Sequence, residues 1–340
     1  MAGTTQANRT AAAARSHRES AAVAVFGTWM ICGLFLDGWA HQAQKPETFF
    51  SPWHGILYSG FVAAVVWFAW DGWRLQRTDP VAAAAAKGGP SDRVITIGLI
   101  TFIVGAIGDG LWHEIFGIEV NLEALVSPSH LALFIGGFLM VTSPVRIANA
   151  DAAYKPTTWH EWFPQGVTLT LATALVFFFT QYLSVFRYTA SLFTDEYWGE
   201  ARQVVDLASI LVSNAILVVP LLFVLWRWRP PLGAITFMFS ACGVLLAGLE
   251  GFDNAELILA FVVGGAIADI AVARNAKPLV TVAAASLAMW CAFFALADRA
   301  YGVAWSPELW AGAIVLASAS SALLSALTNP GRPPAVASAD

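Results

Sequence analysis

Charge is what this chain has least of. Asp, Glu, Lys and Arg make up 12% of its 340 residues, against roughly 25% in an ordinary soluble domain. That excludes a conventional globular core with a solvated surface. The net charge of −5 provides no basic footprint for a nucleic acid, so no nucleic-acid partner is expected. Cysteine is equally scarce. Cys32, Cys242 and Cys291 each fall inside an apolar run with no CxxC spacing, which excludes a thiolate metal cluster or disulfide framework. Walker, GxGxxG, HExxH and GxSxG patterns are all absent, leaving no basis for a nucleotide-binding loop, a zincin helix or a serine hydrolase.

Apolar runs are abundant instead. Hydrophobic residues form 58% of the chain and the mean hydropathy is +0.64. Runs of about 20 apolar residues match the thickness of a bilayer crossed as a helix. A barrel would alternate with period two, and these runs do not. The expected fold class is therefore all-α, a polytopic integral membrane protein in a lipid bilayer with about ten transmembrane helices. The spans are expected near 21–41, 54–73, 94–116, 128–148, 164–186, 203–226, 231–250, 255–273, 278–297 and 307–327. With the N-terminus inside, 14 of the 18 Lys and Arg residues fall on cytoplasmic segments. The positive-inside rule then gives a multi-pass cell-membrane protein with both termini cytoplasmic. Residues 1–20, polar and Ala-rich, read as a disordered cytoplasmic tail, and so do residues 328–340, which are Pro-rich. Between them lie a four-helix region, 21–148, and six further helices, 149–327.

Residues 21–148 are set apart by a pattern that occurs twice. GLFLDGWAH and SPWHGILYSG span Gly33 to Gly60, and GAIGDGLWH and SPSHLALFIG span Gly105 to Gly136. Each copy has an Asp, a His four positions on, and then Ser-Pro-x-His opening the next apolar run. The copies lie about 72 residues apart and hold four of the six histidines. They make the first four helices a tandem two-helix repeat. Residues i and i+4 share a helix face, so Asp37 with His41, and Asp109 with His113, point the same way. His54 and His130 close each set from the following helix. The orientation places all six at the extracytoplasmic face.

Two imidazoles and a carboxylate with positions left open suit a transition metal that must still bind oxygen, water or substrate. An Asp within an apolar span costs ~2.5–3.5 kcal/mol on insertion scales unless paired, which makes such residues functional candidates. The six candidate metal ligands are Asp37, His41, His54, Asp109, His113 and His130. The other reading of the same residues is a hydrogen-bonded Asp–His network that packs helices or relays protons. Trp39, Trp53 and Trp112 flank the six and are expected to wall a pocket. The acidic loop 114–127 is expected as a short amphipathic helix over the site. Glu250, Asp253 and Glu256, on the same face as the six, read as a solvated loop, with support of the ligands from one layer out as the alternative; His160 reads as an interfacial residue and Asp269 as a helix-packing or snorkelling residue.

The two copies resemble the metal-binding region of the C subunit of copper membrane monooxygenases, the particulate methane and ammonia monooxygenases. Asp37, His41 and His54, with twelve residues between the histidines, match that family's spacing, and DGLWH…SPSHLALFIGGF has its local wording. The second copy has Asp109 where the family pattern has Asn, and sixteen residues separate His113 from His130. The resemblance covers 33–61 and 105–138. It implies an oxygen-activating metal centre with O₂ as co-substrate; the metal and the substrate do not carry over, and two Asp and four His suit copper, with iron as the alternative and zinc behind both, the two sets suiting two ions. The apolar surroundings are expected to admit a small or lipid-soluble substrate, and with no haem or flavin motif the electrons are expected from an external donor such as quinol. The catalytic residues beyond the ligands are not specified, and oligomers or partner subunits are left open. Two other functions compete with this one: a metal or small-solute transporter, and a zinc-dependent intramembrane hydrolase.

Overall fold

The computed structural model describes residues 2–45, 51–80, 90–117, 122–187 and 199–328. Among these it is helical throughout, with no strand. The helices are α1 (Ala2–Gln42), α2 (Pro52–Thr78), α3 (Pro90–Phe116), α4 (Pro128–Val141), α5 (Ser143–Ala150) and α6 (Trp159–Phe179), followed by α7 (Gly199–Arg227), α8 (Ala234–Leu249), α9 (Ile258–Ala273), α10 (Pro278–Tyr301) and α11 (Pro307–Thr328). A single helical turn, Glu123–Val126, precedes α4. Eight helices are long and apolar enough to cross a membrane, and α4 with α5 makes a ninth if that bent pair is one span. The all-α polytopic membrane class is thus correct.

Three details differ from the sequence reading. The expected seventh span, 231–250, is α8, apolar but only 16 residues long; at 1.5 Å per residue it reaches about 24 Å, short of the ~30 Å hydrocarbon core. The fourth span is broken by 41° between Val141 and Ser143. Pro144 has no N–H and crowds the carbonyl four residues back, and the Arg146 guanidinium fills the gap, donating to the Leu139 carbonyl at 2.7 Å and to the Thr142 hydroxyl. The N-terminal segment expected as a disordered tail is the start of α1, helical from Ala2. Its run of alanines carries the highest helix propensity of any residue. By Arg18 it is packed: Arg18 pairs with buried Asp71, lies 5.5 Å over the Trp67 ring, and neighbours His17, which stacks on His160 at 4.6 Å. At the other end, residues 329–340 of the expected C-terminal tail lie outside the described residues.

The repeat has a packing basis. In the α1–α2 hairpin, a Cβ on Gly33 would sit 2.7 Å from the Leu57 nitrogen, and one on Gly60 2.8 Å from the Met30 nitrogen. In the α3–α4 hairpin, Gly105 and Gly136 approach the nitrogens of Leu133 and Phe102 at 2.9 and 2.6 Å. Equivalent glycines of the two copies therefore let each helix pair touch backbone to backbone, the small-residue packing that membrane helices use. Both hairpins rest on α6, the most enclosed helix. The hydroxyls of Thr168, Thr170 and Thr173 donate to carbonyls of α6 itself at 2.9, 2.8 and 2.8 Å, which lets polar residues sit in a dry position.

The second half, α7–α11, is tied together by buried polar groups that reach across helices. Asp269 accepts from the backbone of Ile235 and Thr236 at 3.3 and 2.9 Å and from the Thr236 hydroxyl at 2.6 Å, so it caps the start of α8 from across the bundle. Gly265 permits this approach. That gives Asp269 a specific packing role.

Candidate metal centre

All six sequence-identified residues line one cavity of about 840 Å³ at one end of the first four helices. The Ser-Pro-x-His pattern explains how the histidines are aimed. Each Ser caps a helix, the Pro after it takes the first helical position, and the Ser hydroxyl meets the His ring nitrogen three residues on. Ser51 Oγ lies 3.0 Å from His54 Nδ1, and Ser127 Oγ 2.8 Å from His130 Nδ1. Ser127 meets the His130 nitrogen that faces away from Asp109, the kind of partner that orients a ligating imidazole, whereas Ser51 meets the same His54 nitrogen that faces Asp37.

The two carboxylates sit at the centre of the two sets. Asp37 lies 3.6 Å from His41 Nε2 through Oδ2 and 3.3 Å from His54 Nδ1 through Oδ1. Asp109 Oδ1 lies 3.4 Å from His113 Nε2 and 2.9 Å from His130 Nε2. The second set is not quite the triad expected. Ligand atoms of Asp37, His41 and His54 lie within 4.8 Å of one another, and so do those of His54, Asp109 and His113. His54 thus belongs to both groups, and His130 attaches through Asp109. The four imidazoles form a file, 41–54–113–130, with ring centroids 5.9, 6.3 and 5.9 Å apart.

One contact tests whether these residues fit a cation. His113 Nδ1 lies 3.3 Å from the Gly117 carbonyl oxygen. A carbonyl only accepts, so Nδ1 carries the proton and, in the neutral ring, Nε2 presents a lone pair. That lone pair faces the Asp109 carboxylate. Asp37 Oδ1 and Asp109 Oδ1 are both buried without a completed hydrogen bond. Two acceptors face to face call for a donor or a cation between them: a proton on the imidazole or the carboxyl, a water, or a metal ion. The donor set fits each of these.

Sequence reasoning missed Tyr58 and gave Glu250 a place at the site only as the alternative to a solvated loop. Tyr58 donates to Asp109 Oδ2 at 3.0 Å and stacks on His54 with ring centroids 6.3 Å apart; only its position four residues after His54 could have signalled it. Glu250 is not simply part of a solvated loop. It lines the cavity and lies 3.6 Å from Arg187, whose guanidinium also donates to Gln181. Burial pushes the Glu250 carboxyl up from 4.5 to about 7; Arg187 opposes that shift and Asp253 adds to it. Beneath the six residues the cavity floor is Met30, Leu34, Leu57, Phe102, Leu133 and Leu175, and at its mouth are Gln42, Lys45, Gln181, Arg187 and Glu250. The three tryptophans do not wall it: Trp39 packs edge-on against Trp53 at 6.0 Å and Trp112 against Phe116 at 4.5 Å. Of the loop 114–127, residues 118–121 lie outside the described residues, and Ala124 and Leu125 cover one side of the cavity.

No family model matches the chain, and no curated protein or solved structure matches it. The site must speak for itself.

Proposed function

We propose that this protein is a membrane-embedded, metal-dependent oxidoreductase that uses O₂ on a small or lipid-soluble substrate. The observation that carries the reading is the single cavity in which Asp37, His41, His54, Asp109, His113 and His130 converge above an apolar floor. Copper or iron held by these residues would supply the oxygen-reducing chemistry. The chain's own contribution is arrangement. Ser51 and Ser127 fix imidazole orientation, Asp37 and Asp109 balance the positive charge, and the floor excludes water and accepts an apolar substrate. Electrons come from an external donor such as quinol. On the charge distribution, the site faces the extracytoplasmic side of the cell membrane with both termini cytoplasmic. The position of the ligands at one end of the helices disfavours a transporter, whose site belongs near the midplane.

The test is metal content by mass spectrometry on protein in mild detergent, with O₂ consumption measured beside it. Wild type should carry about two copper or iron ions per chain, and His41→Ala and His113→Ala should each lose metal. Zinc would shift the reading to an intramembrane hydrolase. A folded wild type that holds no metal would end it, leaving a proton between Asp109 and His113.

A further inference from the structure

The two copies of the repeat are not chemically equal, and the difference lies in one hydroxyl. Tyr58 stands four residues after His54; the matching position after His130 is Phe134, which packs against Phe138 and Phe179 at 5.9 and 4.8 Å. The phenol of the first copy crosses to the second and binds Asp109 Oδ2. With that oxygen engaged, the Asp109 imidazole contacts both fall on Oδ1. In the first copy the Asp37 contacts are split, one oxygen to each imidazole. The far nitrogens differ in the same sense. His113 Nδ1 is tied to Gly117 and His130 Nδ1 to Ser127, so both Nε2 atoms face one carboxylate oxygen. His54 instead turns Nδ1 toward both Ser51 and Asp37. Burial differs at equivalent positions: the Asp109 and His113 side chains are 1% and 5% exposed against 10% and 29% for Asp37 and His41, while His130 at 19% is more open than His54 at 5%.

We propose that Tyr58 is a positioning residue that makes the two halves of the centre unequal. The Asp109 half is a preorganised site that retains its ion, and the Asp37 half, beside the cavity mouth, is an adaptable site that exchanges its ion. The inference rests on the metal reading above. A carboxylate pinned through one oxygen offers the other in a fixed direction, and partners one shell out from a metal typically change affinity 10–100-fold.

The experiment is a titration of chelator-stripped, full-length protein in detergent with Co²⁺, followed by its visible absorption. Wild type should bind in two steps whose affinities differ about tenfold or more, with distinct spectra. Tyr58→Phe should weaken the tighter step about 10–100-fold and leave the weaker step and its spectrum in place. His41→Ala should remove the weaker step alone. Thermal unfolding of each variant identifies a folding failure; Ser127→Ala, which loosens the same half by another contact, should also weaken only the tighter step. Two equal steps in wild type would overturn the inference and leave the metal reading standing. So would a Tyr58→Phe that shifts both steps alike or neither. A folded wild type that takes up no Co²⁺ would remove the metal reading itself, and this inference with it.

Discussion

Two clusters of buried polar side chains sit within this apolar bundle, and they are built in opposite ways. Between α7, α10 and α11, Asn214 donates to the Ala317 carbonyl at 3.1 Å and to Ser321 at 2.8 Å, and accepts from Trp290 at 3.1 Å; Ser321 meets Ser286 at 2.7 Å. Its amide is used on both sides by neighbouring helices. Between α1, α2, α3 and α4, carboxylate oxygens of Asp37 and Asp109 are buried without a completed hydrogen bond and face imidazole nitrogens. The first cluster is self-sufficient and holds helices together. The second leaves buried Oδ1 atoms facing imidazole nitrogens, and intramembrane ionisable groups of this kind are what the proposed metal reading rests on.

Four substitutions would break or sharpen that contrast. The largest effect is expected from Asp109→Ala, which should abolish metal retention by the second half of the centre in a metal assay. The metal-free protein should unfold no more easily than metal-free wild type, because a buried carboxylate costing ~2.5–3.5 kcal/mol has been removed. A metal-free variant that unfolds more easily than metal-free wild type would make Asp109 structural. Asn214→Leu should do the reverse. Metal content should stay unchanged while unfolding in mixed micelles becomes easier by about 1–3 kcal/mol, since Trp290 and Ser321 lose their partner. Gly136→Ala should couple the two readouts. Its Cβ would fall 2.6 Å from the Phe102 nitrogen, prising α3 from α4 at a cost of about 1–3 kcal/mol and moving Asp109 relative to His130. Gly55→Ala is its control, because nothing lies within 4 Å of that position.

The smallest effect is a pH slope. The Glu250 carboxyl is raised from 4.5 to about 7 in the fold, so the native protein binds this proton more tightly than the unfolded chain. Its contribution is fully present below about 4.5 and is lost as pH rises through about 7. Stability should therefore fall across that window in wild type and fall less in Glu250→Gln. An identical slope in both proteins would show that Glu250 is not the group responsible.

Much of this was legible in the chain. Helical spans follow from apolar runs, since a bilayer admits few alternatives, and the six site residues follow from i, i+4 spacing and a repeated Ser-Pro-x-His. What escaped depends on tertiary distance. That His54 belongs to both groups, or that Tyr58 reaches Asp109, depends on how two hairpins dock, which no local pattern encodes. Asp269 looked like a packing or snorkelling residue because its partners at Ile235 and Thr236 lie some 34 positions away. The tryptophans were misplaced for a related reason. Trp39 stands two positions from both Asp37 and His41, about 200° round the helix, and Trp112 stands one before His113, about 100° from it, so neither shares the direction of that ligand.

The glycine contacts have a mechanical consequence. Helices whose backbones touch at Gly33 and Gly60, or at Gly105 and Gly136, cannot slide past one another without collision, so each hairpin moves as one stiff body. Between α2 and α3 the link is lighter: the Phe61 ring on Phe102, and the Tyr58 hydroxyl on Asp109. The soft coordinate of this region is therefore the opening between two rigid jaws. Any difference in how the two hairpins dock would change the distance between the two carboxylates more than the contacts Asp37 makes with His41 or Asp109 makes with His113 within a single helix.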